Sequence, residues 1–403
     1  MHIAIVDEEL PYPLNSGKRI RTTNLITRLA QRHRITYFCH RNEDSDEAEE
    51  AVKFFHKNNI ETVVVERPLP PKSGLAFYVR LALNLFSPLP YSVAVHSSFS
   101  LRQAIAEYQK HHHVDLWQCE WTPYTEIFRR SSNGHLLVMA HNVESLIWQR
   151  YHEMESNFLK RWYIKKQWHK FETFEQWAFA KASRTVTVSS DDAALARQRF
   201  NAERVDVVDN GVDTTLFQPG NMSREPRTVL FLASLDWRPN LDAVNVLLDQ
   251  IFPAVRSQEP DARLMIVGRK PPQWLLDRVR QEKNVELHAD VPDVRPHLNR
   301  CAVMAVPLRI GGGSRLKILE ALAAQTPVVS TEIGAEGLRL ESGTHLSVVK
   351  NTEEMADALV HSMRNPEQSR AMAERGREIV LDLYDWDALS RKLEEIWVSC
   401  VSS

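Results

Sequence analysis

Short apolar runs bounded by turn residues, each followed by a helical stretch, recur along this chain and then begin again half-way through it. That alternation constrains the fold more than any other feature. In the first half His2 to Val6, Arg34 to Cys39, Thr62 to Val65, Val114 to Cys119, His135 to Ala140, Arg184 to Val188 and Val205 to Val208 read as strands. Helical patterns lie between them, from Arg19 to about Gln31 with Leu25, Ile26 and Leu29 on one face, over Leu101 to Lys110, and through the polar-aromatic stretch 144–182. The second half repeats the scheme. Thr228 to Ser234, Ala262 to Gly268, Val285 to His288, Ala302 to Leu308 and Pro327 to Ser330 read as strands, with helices over Pro239 to Phe252, Pro272 to Val279 and from Thr352 onward. Nearly continuous apolar strands joined by helices specify parallel sheets covered on both faces. The expected class is α/β, with two doubly wound Rossmann-like domains facing across a cleft. Ligands of such sheets bind outside the carboxyl ends of the strands. The expected boundaries are 1–204, 205–380, and a C-terminal helix, 381–403, packing back on the first domain.

Composition narrows the function classes. Hydrophobic content of 43% and charged content of 25% over 403 residues suit two soluble domains. A net charge of −2 gives no global attraction to nucleic acid. Cys39, Cys119, Cys301 and Cys400 are far apart and lack metal-ligand spacing, which predicts reduced thiols and a cytoplasmic setting. The opening Met1 to Glu8 turns acidic too soon for a signal peptide, and no apolar run is long enough for a membrane span. His111-His112-His113 point in different directions and have no matching carboxylate or cysteine spacing, so no metal site is expected there.

Only 13 glycines occur, yet three stand together in Gly311-Gly312-Gly313-Ser314-Arg315-Leu316-Lys317-Ile318-Leu319-Glu320. Strand, glycine loop and helix start present bare backbone N–H groups and a positive dipole end to an anion. Arg315 and Lys317 add charge, and a carboxylate at Glu320 can accept two vicinal hydroxyls. Diphosphate and ribose suit these groups together. A tight turn with a solvated basic face would carry the same residues, so the loop alone leaves both readings open.

The order of the remaining motifs resembles that of the GT-B glycosyltransferases of family 4, a retaining group that uses nucleotide sugars. The resemblance covers nearly the whole chain. It rests on the Gly17 loop, His141-Asn142-Val143-Glu144, Asn210-Gly211-Val212-Asp213, Leu232 to Asn240, Ile266-Val267-Gly268, Gly311 to Glu320, Pro327-Val328-Val329 and Gly334. Cys119-Glu120-Trp121-Thr122-Pro123-Tyr124 is similar to a run in a bacterial subgroup associated with exopolysaccharide and surface-glycan assembly.

The resemblance implies a role for each matching residue. His141 sits beside the transferred sugar, Glu320 clamps the ribose, and Arg238, Lys317 and Arg315 contact the diphosphate in place of a metal. Gly17, Ser234, Gly311, Gly312, Gly313 and Ser314 lie around the donor, with Gly268 and Val291 near the base. Apart from the resemblance, Glu120 and Glu144 are candidate carboxylates on the acceptor side, with an ordinary N-cap or surface role equally open. No cofactor or metal is expected. The implied partners are a nucleoside diphosphate sugar and a glycan or lipid-linked acceptor. Leu75 to Phe86 is apolar and Lys160 to Lys170 interleaves cations with aromatics, a pattern open both to peripheral contact at the inner membrane face and to packed helices with a solvated face. Two departures stand out. The family pattern places two glutamates eight positions apart, and the first falls here on Gly312. The usual glycine-arginine pair reads Ala233-Ser234, leaving Arg238 as the substitute cation. The missing carboxylate keeps open a non-catalytic protein that binds nucleotide sugars and partners another transferase. A sugar-nucleotide epimerase on the same fold is a further alternative.

Overall fold

The computed structural model describes residues 1–66, 73–96, 98–130, 134–220, 223–310 and 316–402. Two compact units account for them, one of residues 1–209 and 389–402, the other of residues 210–310 and 316–388.

The first unit holds a seven-stranded sheet. Its strands are β1 (His2–Val6), β2 (Arg34–His40), β3 (Ile60–Val65), β4 (Leu116–Cys119), β5 (His135–Ala140), β6 (Arg184–Thr187) and β7 (Val205–Val207). Their spatial order is β3-β2-β1-β4-β5-β6-β7, and every pairing is parallel. Burial explains the sequence pattern. Central β1 and β4 are buried at every position, whereas edge strand β3 is partly open along most of its length. The second unit holds a six-stranded sheet of β8 (Thr228–Ser234), β9 (Arg263–Arg269), β10 (Val285–Ala289), β11 (Val303–Val306), β12 (Val328–Thr331) and β13 (Ser347–Val349). The order β10-β9-β8-β11-β12-β13 repeats that of the first sheet, again wholly parallel. Each sheet reverses direction beside its first strand, between β1 and β4 and between β8 and β11. This is the switch point where doubly wound sheets bind ligands. Two Rossmann-like domains are therefore present.

One boundary needs correction. A division at 204/205 gives Val205–Val207 to the second domain, but these residues pair in parallel with β6 and complete the first sheet. The first helix also starts earlier than Arg19, at Gly17, because Ser16 caps it and accepts from the Arg19 N–H. The predicted helix Pro239 to Phe252 continues as Arg238–Val246, a π turn at Leu247–Ile251, and Phe252–Gln258. Pro253 has no N–H for the usual bond to residue 249, and the Phe252 N–H reaches back to Leu247. Arg224 closes two helix ends at once, donating to the carbonyls of Leu298, Cys301, Ala324 and Gln325 at 2.8 to 3.1 Å.

The C-terminal helix Trp386–Val401 buries Trp386 and Trp397. From Leu389 on it belongs to the first unit, where Glu394 meets Arg32 at 2.8 Å and His33 at 2.7 Å. Among the described residues no helix is long and apolar enough to cross a membrane.

Candidate functional site

In the first unit three adjacent strands end on polar side chains: Asp7 after β1, Glu120 after β4 and His141 after β5. All three are buried. Asp7 accepts from the Glu8 N–H at 2.7 Å, from the Tyr37 hydroxyl at 2.6 Å and from the Lys18 ammonium. Burial pushes its carboxyl up, against the pull of Lys18. The Lys18 ammonium is raised in turn: burial opposes its charge, but Asp7 and Glu8 outweigh that. Glu120 accepts from the Thr22 hydroxyl at 2.7 Å and the Gln118 amide at 2.6 Å, and His141 Nε2 lies 3.2 Å from it. Burial works against the Glu120 charge, yet the bonds from His141, Thr22 and Gln118 hold the carboxyl below its usual range.

Lys18 and Arg19 follow Gly17 toward the same strand ends, but each already has a carboxylate. Lys18 pairs with Asp7, and Arg19 with Glu9 and Glu47. Glu144 accepts from the Trp121 indole at 2.8 Å. Its own backbone N–H donates to Glu175 at 2.6 Å, and the Ser145 N–H donates to the same carboxyl at 3.1 Å. Glu175 thus caps helix Glu144–Met154 from helix Phe158–Lys181. Burial pushes Glu175 up to about 8, and the nearby Glu144 charge adds to it. Nothing local in the sequence marks Glu175, because the helix it caps begins about 30 residues earlier in the chain.

In the second unit Ser234 ends β8, Gly268 lies near the end of β9, and Lys317 is tied to Ser234 through one side chain. Asn240 links them: its amide donates to the Ser234 carbonyl at 2.8 Å, and its oxygen accepts from the Lys317 ammonium at 3.1 Å. Lys317 also lies over the Phe231 ring, 5.7 Å from its centroid. Glu320 follows on the same helix, Leu316–Ala323, half-buried. Among the described residues its carboxylate has no hydrogen-bond partner, and burial pushes it up to about 7 against the pull of Lys317. Arg269, at the end of β9, donates to the Ser234 hydroxyl at 3.1 Å. Strand register sets Arg269 opposite Ser234, so pairing alone delivers a cation to the position where the family's arginine is missing. Arg238 is exposed at the start of helix Arg238–Val246.

Gly268 pairs with Ala233, and a Cβ there would collide with the Ala233 carbonyl and lie 2.8 Å from Leu235. Its lack of a side chain lets the β8 end turn. Val291 is half-buried against the core of this unit, just past β10. Gly311, Gly312, Gly313, Ser314 and Arg315 lie outside the described residues. Among the described residues no cluster of three or more His, Cys, Asp or Glu could hold a metal. The three consecutive histidines face separate partners, His111 on Glu107, His112 stacked on Tyr108, and His113 on Asp115.

Comparison with known proteins decides the family. The model of the family described as Glycosyltransferase Family 4 matches residues 16–216, and that of Glycosyl transferases group 1 matches residues 226–365. The chain belongs to the GT-B glycosyltransferases of family 4. A relative of this glycosyltransferase is the GDP-mannose-dependent alpha-(1-6)-phosphatidylinositol monomannoside mannosyltransferase of Mycobacterium tuberculosis. It is 27% identical over 232 residues, covering 50% of this chain and 59% of that protein. The chain spans about three fifths of the length of the curated relatives it matches. Sucrose-phosphate synthase from Thermosynechococcus elongatus has the same fold, with a TM-score of 0.74 at 17% identity and coverage of 100% and 99% of the two chains. So does Anabaena Alr3699/HepE, solved with UDP and glucose, at a TM-score of 0.68, 15% identity and coverage of 99% and 100%.

Proposed function

We propose that this glycosyltransferase moves a hexosyl unit from a UDP- or GDP-sugar to a glycan or lipid-linked glycan acceptor, with retention and without a metal. The observation that carries the reading is Glu320. A desolvated carboxylate with no partner among the described residues, one turn past Lys317, is arranged to accept two vicinal hydroxyls. Lys317 supplies positive charge beside it and Arg269 does so at the end of β9, and the leaving diphosphate needs such preorganised charge. Arg238 and the glycine loop complete the donor side in this reading. His141 positions the sugar, and the leaving phosphate takes the acceptor proton. The matching family and a neighbour solved with UDP and glucose support the donor class.

A panel of nucleotide sugars, with release of UDP or GDP followed in the presence of EDTA, tests the reading. Turnover with one donor that survives EDTA and falls at least a hundredfold in Glu320→Ala is expected. Nucleotide binding without release for any donor would favour the non-catalytic reading that the missing carboxylate at Gly312 motivates.

A lipid-linked acceptor fits two helices of the first unit. Leu75, Tyr78, Leu83 and Phe86 are exposed in and just after helix Leu75–Asn84, and Phe158, Leu159 and Trp162 are exposed at the start of Phe158–Lys181. Asn84 ties the two helices together, accepting from Gln167 at 3.0 Å and Lys170 at 2.6 Å. Exposed Lys160, Arg161, Lys165 and Lys166 match an anionic bilayer. Sedimentation with phosphatidylglycerol vesicles should exceed that with phosphatidylcholine and weaken in Trp162→Glu. Equal sedimentation with both lipids would remove this contact from the account.

A further inference from the structure

Four side chains run from the C-terminal helix to His141, and their donor and acceptor roles permit one arrangement. The Trp397 indole N–H donates to Gln118 Oε1 at 2.8 Å. Gln118 Nε2 donates to Glu120 Oε2 at 2.6 Å. Glu120 Oε1 accepts from Thr22 at 2.7 Å and faces His141 Nε2 at 3.2 Å. Trp397, Gln118, Glu120 and His141 are all buried, so water does not offer substitute partners. An indole can only donate and a carboxylate can only accept. The amide between them satisfies both in one orientation; reversed, its oxygen would face the carboxylate and its NH₂ the indole N–H. Trp397 and Glu120 therefore select the same amide orientation, Trp397 from the C-terminal helix, and the amide and Thr22 fix the carboxylate. A carboxylate at Nε2 selects the Nε2–H tautomer and leaves Nδ1 as the remaining ring nitrogen. Among the described residues none hydrogen-bonds Nδ1.

We propose that Glu120 is the positioning residue of His141 and that Trp397 fixes it through Gln118, so that the seating of the C-terminal helix sets the tautomer and aim of this histidine. In this reading Glu120 is no longer a candidate for the acceptor side. Its consequence for turnover rests on the proposed role of His141 at the donor sugar, but the hydrogen-bond relay does not. Asp7, Lys18, Arg21, Tyr37 and Cys119 are the other titratable or charged groups that bear on Glu120.

The test is the ¹⁵N spectrum of the histidine rings in the full chain, with the His141 signals assigned from His141→Gln. The wild type should show the Nε2–H tautomer. Trp397→Phe keeps the ring packing but removes the donor, and should move the His141 ring signals toward a tautomer mixture. Gln118→Met should do the same and serves if Trp397→Phe does not fold. Glu394→Gln removes the charge from the Arg32 and His33 contacts on the same helix, at a residue with no bond to Gln118, Glu120 or His141, and should leave the His141 signals in place. Unchanged His141 signals in the relay variants, or an equal change in Glu394→Gln, would overturn the proposal. With a donor in hand, Trp397→Phe should lower kcat about tenfold at unchanged KM. Gln118→Met should also move the acid limb of the pH profile upward, since Glu120 then loses the amide bond that helps hold its carboxyl down. If the wild type turns over no nucleotide sugar, the proposed function fails, and the ring signals still decide the relay.

Discussion

Glu320 and Glu175 are two carboxyls that burial drives upward, to about 7 and about 8, with different consequences. Ribose hydroxyls bond best to an ionised acceptor. Nucleotide affinity should therefore rise as pH climbs through about 7, and Glu320→Gln should flatten that rise and weaken binding roughly 10- to 100-fold. Calorimetry from pH 6 to 8.5 checks both. Glu175 acts on stability. Its folded value lies above its unfolded value, so its contribution is complete below about 4.5 and is lost as pH rises through about 8. Glu175→Gln mimics the protonated form, and its melting temperature should fall less than that of the wild type between pH 5 and 9. The sequence made Glu320 visible because a glycine loop leads into its helix. Glu175 and Arg269 were not visible, because each meets its partner across the fold rather than along the chain.

The strands were legible because burial on both faces writes them as unbroken apolar runs. The helix Ser45–Lys57 went unread, although Ala48, Ala51 and Phe55 mark its buried face and Asp44 caps it. The π turn was not legible because it comes from the missing N–H of one proline. Two element-scale predictions follow from close contacts. Gly268→Ala forces apart the Ala233 carbonyl and the β8 turn, and should cost about 2–4 kcal/mol in urea unfolding. Arg224→Met leaves carbonyls at two helix ends without donors and should cost a similar amount, about 2–4 kcal/mol. A loss below about 0.5 kcal/mol in either would contradict the packing described.

Over the whole molecule, the same strand order is built twice, with polar side chains at both switch points. The first unit fills its switch point with its own contacts, the Lys18–Asp7 ion pair and the hydrogen bond between His141 and Glu120. The second leaves Glu320 without a hydrogen-bond partner among the described residues. That asymmetry is the ground on which the proposed function puts nucleotide binding in the second unit, a claim that thermal unfolding tests most directly. Nucleotide at ~100 times its dissociation constant should add about 2.7 kcal/mol of apparent stability. The account predicts that UDP or GDP raises the melting temperature of the wild type and that Glu320→Ala abolishes the rise. An equal rise in Glu320→Ala, or none with any nucleotide, would contradict it.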